Sequence, residues 1–147
     1  MSKAGNSIES ALYWFTAIRE QTNALAQGMQ ETKAQRLAMM QSRIQEKWAD
    51  HEDRSKVQPQ LVPVVLICTK YDTFANQYES ARKKTICLAL RYLAHLNGAS
   101  LVFASVREKV PSQLYRALLM SHIVEGSQIG KLDTNSNSSL NVPAGAD

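Results

Sequence analysis

Thr69-Lys70-Tyr71-Asp72 follows directly on the apolar run Val62-Pro63-Val64-Val65-Leu66-Ile67-Cys68. A carboxylate held at the end of such a strand can accept from both N1–H and N2–H of guanine, and adenine offers no such pair of donors. Lys70 can lay its methylene stem over the purine face while its ammonium holds the loop. Thr69, Lys70 and Asp72 are therefore candidates for reading a guanine base. The competing use of Asp72 and Lys70 is to cap the loop that follows, and this is the favoured use here, because base contacts without phosphate contacts bind weakly.

Phosphate contacts are not in view. Phosphoryl transfer needs a G-x-x-x-x-G-K-[ST] loop, whose backbone cradles the phosphates and whose hydroxyl binds Mg²⁺. The six glycines stand at positions 5, 28, 98, 126, 130 and 145 and never reach that spacing. Gly130-Lys131 comes nearest, but Leu132 stands where Ser or Thr is required. Other chemistries are no better served. His51, His95 and His122 lie far apart in sequence with no metal-ligand spacing, so no metal is expected. Asp50-His51-Glu52-Asp53 could attract a cation but reads as a solvated loop. No serine or cysteine sits in a G-x-S-x-G context. Cys68 and Cys87 read as buried, reduced thiols. The expectation is a protein that is not an enzyme and carries no cofactor.

Composition sets the class. The chain has 147 residues, 44% apolar and 20% charged, which suits one ordinary soluble domain. No apolar run approaches the roughly 20 residues of a membrane span, so no membrane insertion is expected. The N-terminus lacks the apolar core of a secretory signal, giving an intracellular expectation. A net charge of +4, spread along the chain, does not argue for nucleic acid.

The elements that must position Asp72 follow from periodicity. Ile8, Leu12, Phe15, Ile18 and Leu25 recur at helical spacing after Asn6, with Glu9 placed as in a capping box. A more charged helix covers about residues 29–48, with Leu37, Met40, Ile44 and Trp48 on one side and Gly28 as the break. A polar loop leads to the first strand, whose continuous β-branched run fits a parallel sheet. A helix spans about residues 78–96 with Ile86, Ala89, Leu90 and Leu93 inward, closed by Asn97-Gly98 as a left-handed cap. Residues 99–104 form a second strand, and Pro111 opens a last helix reaching about residue 124.

The fold class is α/β, in the order helix, strand, helix, strand, helix with parallel strands. Residues 1–57 form a helical segment, 58–126 the sheet-bearing part and 127–147 a flexible polar tail. Two strands make a poor core, and the first would leave an apolar edge bare. Such a sheet must borrow strands from a partner or belong to a longer domain.

Residues 62–104 resemble the C-terminal half of a Ras-like P-loop NTPase fold. More narrowly, they resemble the light intermediate chain family of cytoplasmic dynein, in its dynein 2 branch. The carrying residues are Lys70-Tyr71-Asp72-Thr73-Phe74, Arg82-Lys83-Lys84-Thr85-Ile86-Cys87, Leu90-Arg91-Tyr92-Leu93-Ala94-His95 and Gly98-Ala99-Ser100-Leu101. The Ras-like resemblance implies that the backbone at Ser105 and Val106 occupies the place that meets guanine O6, although no Lys follows. It also implies that the phosphate loop, both switch regions and the first four strands lie outside this chain, so that the fold is incomplete. The family resemblance implies a non-catalytic subunit that stabilises the dynein 2 heavy chain, alongside other dynein 2 subunits, in retrograde intraflagellar transport and cilium assembly. Cytoplasm, cytoskeleton and cilium, including the basal body, are the implied locations. The alternative is a regulatory small GTPase-like protein that binds guanine nucleotide.

Overall fold

The computed structural model describes residues 5–28, 31–105, 107, 116–121, 133–134 and 140–146. Its elements run α1 (Gly5–Gln27), α2 (Glu31–Trp48), β1 (Val65–Cys68), α3 (Tyr71–Gln77), α4 (Ser80–Leu96), β2 (Ser100–Phe103) and β3 (Asn141–Val142). Residues 116–121 are helical as well, inside the last helix expected from the sequence; the rest of that helix, with Leu114 and Ile123, lies outside the described residues.

β1 and β2 pair in parallel, from Val65 opposite Ser100 to Cys68 opposite Phe103. The crossover between them runs through α3 and α4, the long connection that a parallel pair requires. Contrary to the two parallel strands expected from the sequence, the sheet has three strands and is mixed. Asn141–Val142 adds a third strand, antiparallel to β2, in the order β1-β2-β3. This strand comes from the stretch that reads as polar tail. Leu140 is fully buried, and its carbonyl accepts the Phe103 amide at 2.9 Å. A two-residue strand is too short to leave a periodic signal, and the Asn/Ser run before it hides the apolar Leu140 and Val142.

Residues paired in register point to the same face of a sheet. Leu66 with Leu101, Cys68 with Phe103, and Leu101 with Val142 therefore share one face, and that face carries the core. Against it lie Ala11 and Phe15 of α1, Tyr71 and Phe74 of α3, and Ile86, Cys87, Leu90 and Ala94 of α4. The buried stripe of α1 is narrower than its apolar content suggests. Ile8, Ala11 and Phe15 face the core, while Leu12, Tyr13, Trp14 and Leu25 are exposed. Among the described side chains of α2 only Trp48 is buried, in keeping with the heavy charge of that helix. The short α3, whose sequence lacks a full helical repeat, goes unread from periodicity alone.

A polar clamp holds α1 to the end of α4. The Arg19 guanidinium donates to Asn97 Oδ1 at 2.8 Å and to the Gln58 carbonyl at 2.9 Å. Gln60 Nε2 donates to the Phe15 carbonyl, and the Gln58 and Gln60 amides donate to the Leu96 and Asn97 carbonyls. Gly98 ends α4 with φ +60°, as the Asn-Gly pair predicts. A Cβ there would lie 2.8 Å from Pro59 Cβ, so both the backbone conformation and the close approach require glycine.

Candidate functional site

The loop after β1 is fixed from both sides. The Ala104 amide donates to the Cys68 carbonyl at 2.9 Å, and the Tyr71 amide donates to the Ala104 carbonyl at 3.1 Å. Lys70 turns the chain with φ 58° and ψ 42°, a left-handed conformation that costs a non-glycine residue about 1 kcal/mol. Its carbonyl then accepts the Phe74 amide and starts α3. Aromatic packing holds the turn in place. Tyr71 and Phe74 rings stand 5.6 and 5.8 Å from Phe103, and Phe74 stands 5.4 Å from Tyr78. Asp72 is thereby set in the first turn of α3, at the C-terminal end of the parallel pair.

Asp72 meets the loop after β2. Ser105 Oγ donates to Asp72 Oδ1 at 3.1 Å, and Arg107 Nε lies 3.6 Å from Oδ2. Ser105 Oγ in turn accepts the Arg107 amide at 3.2 Å. Thr69, Lys70, Asp72 and Ser105 thus gather at one end of the sheet, with Thr69 and Lys70 exposed. Val106 lies outside the described residues. The sequence reading missed Arg107, which places a cation beside the carboxylate; its position two residues beyond Ser105 was the available signal.

Chemically, Asp72 acts here as a clasp between two loops. Both of its oxygens are engaged by the loop after β2, whereas Lys70 at the start of α3 makes no side-chain capping bond. The Arg107 partner is 85% exposed, so that ion pair contributes roughly 0–1 kcal/mol and yields readily. A carboxylate so placed can still accept paired N–H donors if Arg107 turns outward.

Beside this loop runs a groove of about 650 Å³ between α1 and the outer side of β1. Trp14, Phe15 and Ile18 form one wall, and residues 64–70 form the other. Thr69 and Lys70 stand at its end, whereas Asp72 and Ser105 do not line it. Lys70 is the sole cation among its described lining residues. No helix among the described residues is long and apolar enough to cross a membrane.

The cysteines are packed thiols, as their apolar settings suggest. Burial pushes Cys68 up to about 12 and Cys87 up to about 11. Burial thus disfavours the reactive thiolate form of both near neutral pH. A different cluster is less visible in the sequence. The turns after α2 carry His51 and Asp53 back against His95 on α4, and Trp48 packs 4.8 Å from the His51 ring and 5.9 Å from the His95 ring. Only the cation-attracting composition of Asp50-His51-Glu52-Asp53 hinted at it.

No protein-family model matches the chain. Among curated proteins, it is similar to cytoplasmic dynein 2 light intermediate chain 1 of Danio rerio, 33% identical over 99 residues, which are 67% of this chain and 27% of that protein. The Homo sapiens protein of the same name is 48% identical over 59 residues, covering 40% of this chain and 16% of the relative. The Bos taurus protein is 46% identical over 59 residues, with the same coverage. The chain thus spans between 16% and 27% of the length of these relatives. Over that part of its length, the chain is homologous to the cytoplasmic dynein 2 light intermediate chains.

Proposed function

We propose that this chain is a non-catalytic light intermediate chain of the cytoplasmic dynein 2 motor complex. In this role it stabilises the heavy chain for retrograde intraflagellar transport and cilium assembly, in contact with other subunits of the complex. Its place is the cytoplasm, cytoskeleton and cilium, including the basal body. The carrying observation is the identity of 33–48% to proteins named as dynein 2 light intermediate chains.

The scaffold in this reading is the C-terminal half of a Ras-like domain, residues 58–126, preceded by a helical segment. The parallel β1–β2 pair with its helical crossover, and a Lys-x-Asp turn at the strand end, support that reading. β1 is then the strand on which the remaining strands of the Ras-like sheet continue. Base recognition by Thr69, Lys70, Asp72, Ser105 and Val106 is a vestige, with Asp72 used as a clasp.

The second reading is a regulatory small GTPase-like protein. It draws on the meeting of Asp72 with Ser105 next to an exposed Lys70. The two separate in a turnover assay. The purified chain with GTP and Mg²⁺ is expected to release no phosphate above buffer. Measurable turnover that disappears in Asp72→Ala would overturn the non-catalytic assignment.

A further inference from the structure

We propose that His51, Asp53 and His95 form a binding site for a divalent transition-metal ion of the zinc class. The ion would tie the turns after α2 to the C-terminal part of α4. Each of the three residues offers one ligand atom, and these atoms lie within 4.8 Å of one another. Two imidazoles and one carboxylate suit Zn²⁺, Ni²⁺ or Cu²⁺, whereas Ca²⁺ and Mg²⁺ ask for an all-oxygen shell.

The ring of His95 carries the argument furthest. Both of its nitrogens are buried and have no hydrogen-bond partner among the described residues. Nε2 stands 3.4 Å from Asp53 Oδ2 without forming an aligned bond. Buried ring nitrogens ordinarily find a partner, and a metal at this point supplies one. His51 keeps its lone pair at Nδ1, where it accepts the Asp53 amide at 3.1 Å, so that lone pair already faces the segment bearing the carboxylate. A bound metal takes over this lone pair. Lys56 Nζ occupies only Asp53 Oδ1, at 2.7 Å, and leaves Oδ2 on the side of His95.

Ligand atoms around a tetrahedral zinc are about 3.3 Å apart, given bonds near 2.0–2.1 Å. The cluster must therefore tighten. His95 is anchored on α4, while His51 and Asp53 sit half-exposed on a turn whose side chains can rotate inward. Trp48 packs against both imidazoles and shields that side of the site. The 51–53 pair and His95 come from segments far apart in the chain, so an ion here adds a cross-link that the sequence spacing does not announce.

Trp48 also makes the site readable. In a Trp14→Phe background it is the sole tryptophan, and titration with ZnCl₂ should change its fluorescence with 1:1 stoichiometry. Co²⁺ in the same protein should give visible d–d bands without the near-ultraviolet charge transfer of thiolate ligation. His95→Ala, and separately His51→Ala, should weaken binding by roughly 100-fold or more. Lys56→Ala removes the competing cation at an exposed position and should tighten binding several-fold, a gain that misfolding cannot mimic. Unchanged affinity in the histidine variants, a thiolate band with Co²⁺, no gain in Lys56→Ala, or no 1:1 response to Zn²⁺ would each overturn the assignment.

Discussion

The two sides of the sheet are built to different standards. On the β3 side, Leu140, Asn141 and Val142 are buried, and all four residues of β2 are buried with them. On the β1 side, the strand is at the sheet edge among the described residues, a groove runs beside it, and Ile67 is 39% exposed. Ile67 pairs in register with Val102, which is fully buried on the same face. Two β-branched residues, one strand apart, thus have opposite exposures. Stability resides where β2 is enclosed, and unsatisfied apolar surface collects along β1 and Trp14. An apolar edge strand of this kind invites further pairing.

Substitutions can break that contrast or sharpen it. The largest effect is expected on the enclosed side: Phe103→Ala should cost about 3–5 kcal/mol and Leu140→Ala about 2–5 kcal/mol in chemical denaturation. A loss at Leu140 no larger than at a surface position would show that β3 is not part of the cooperative core. Gly98→Ala, at the entry to β2, should cost about 1–3 kcal/mol, through its positive φ and the contact with Pro59.

The alkaline limb comes next. Burial holds both thiols neutral, Cys68 to about 12 and Cys87 to about 11, against about 9 in the unfolded chain. With folded values raised, their contribution is complete below pH 9 and is lost as pH climbs toward 11–12. The melting temperature should fall over that window, and the fall should flatten in Cys68→Ala/Cys87→Ala. The smallest effect belongs to the open side: Trp14→Ala, at a residue 62% exposed, should change stability by less than about 0.5 kcal/mol. A loss as large as that of Phe103→Ala would erase the distinction between the two sides.

Much of this layout was legible in the residues. The β-branched run ending in Thr69-Lys70-Tyr71-Asp72 located β1, the parallel pairing and the turn at once, because a continuous apolar strand and a polar break leave a strong local signal. Asn97-Gly98 marked the end of α4 for the same reason. What escaped were contacts made by few residues or at long range. β3 is two residues long and follows a polar run. The exposure of Leu12, Trp14 and Leu25 depends on which side of α1 meets α4, and helical spacing does not decide that. The pairing of Asp72 with Ser105 was foreseeable only as a common location. The gathering of His51, Asp53 and His95 needed the turns after α2 to fold back on α4, a tertiary fact with no local spacing behind it.

The assignment to a motor complex meets its most direct test in affinity capture of the tagged 147-residue chain from a ciliated cell. Leu140→Asp, which places a charge in the buried side of the sheet, serves as the unfolded control. Recovery of the dynein 2 heavy chain with the wild-type chain, lost in Leu140→Asp, is the expected result. Folded wild-type chain that recovers no heavy chain, and instead co-purifies with guanine nucleotide, would contradict the assignment.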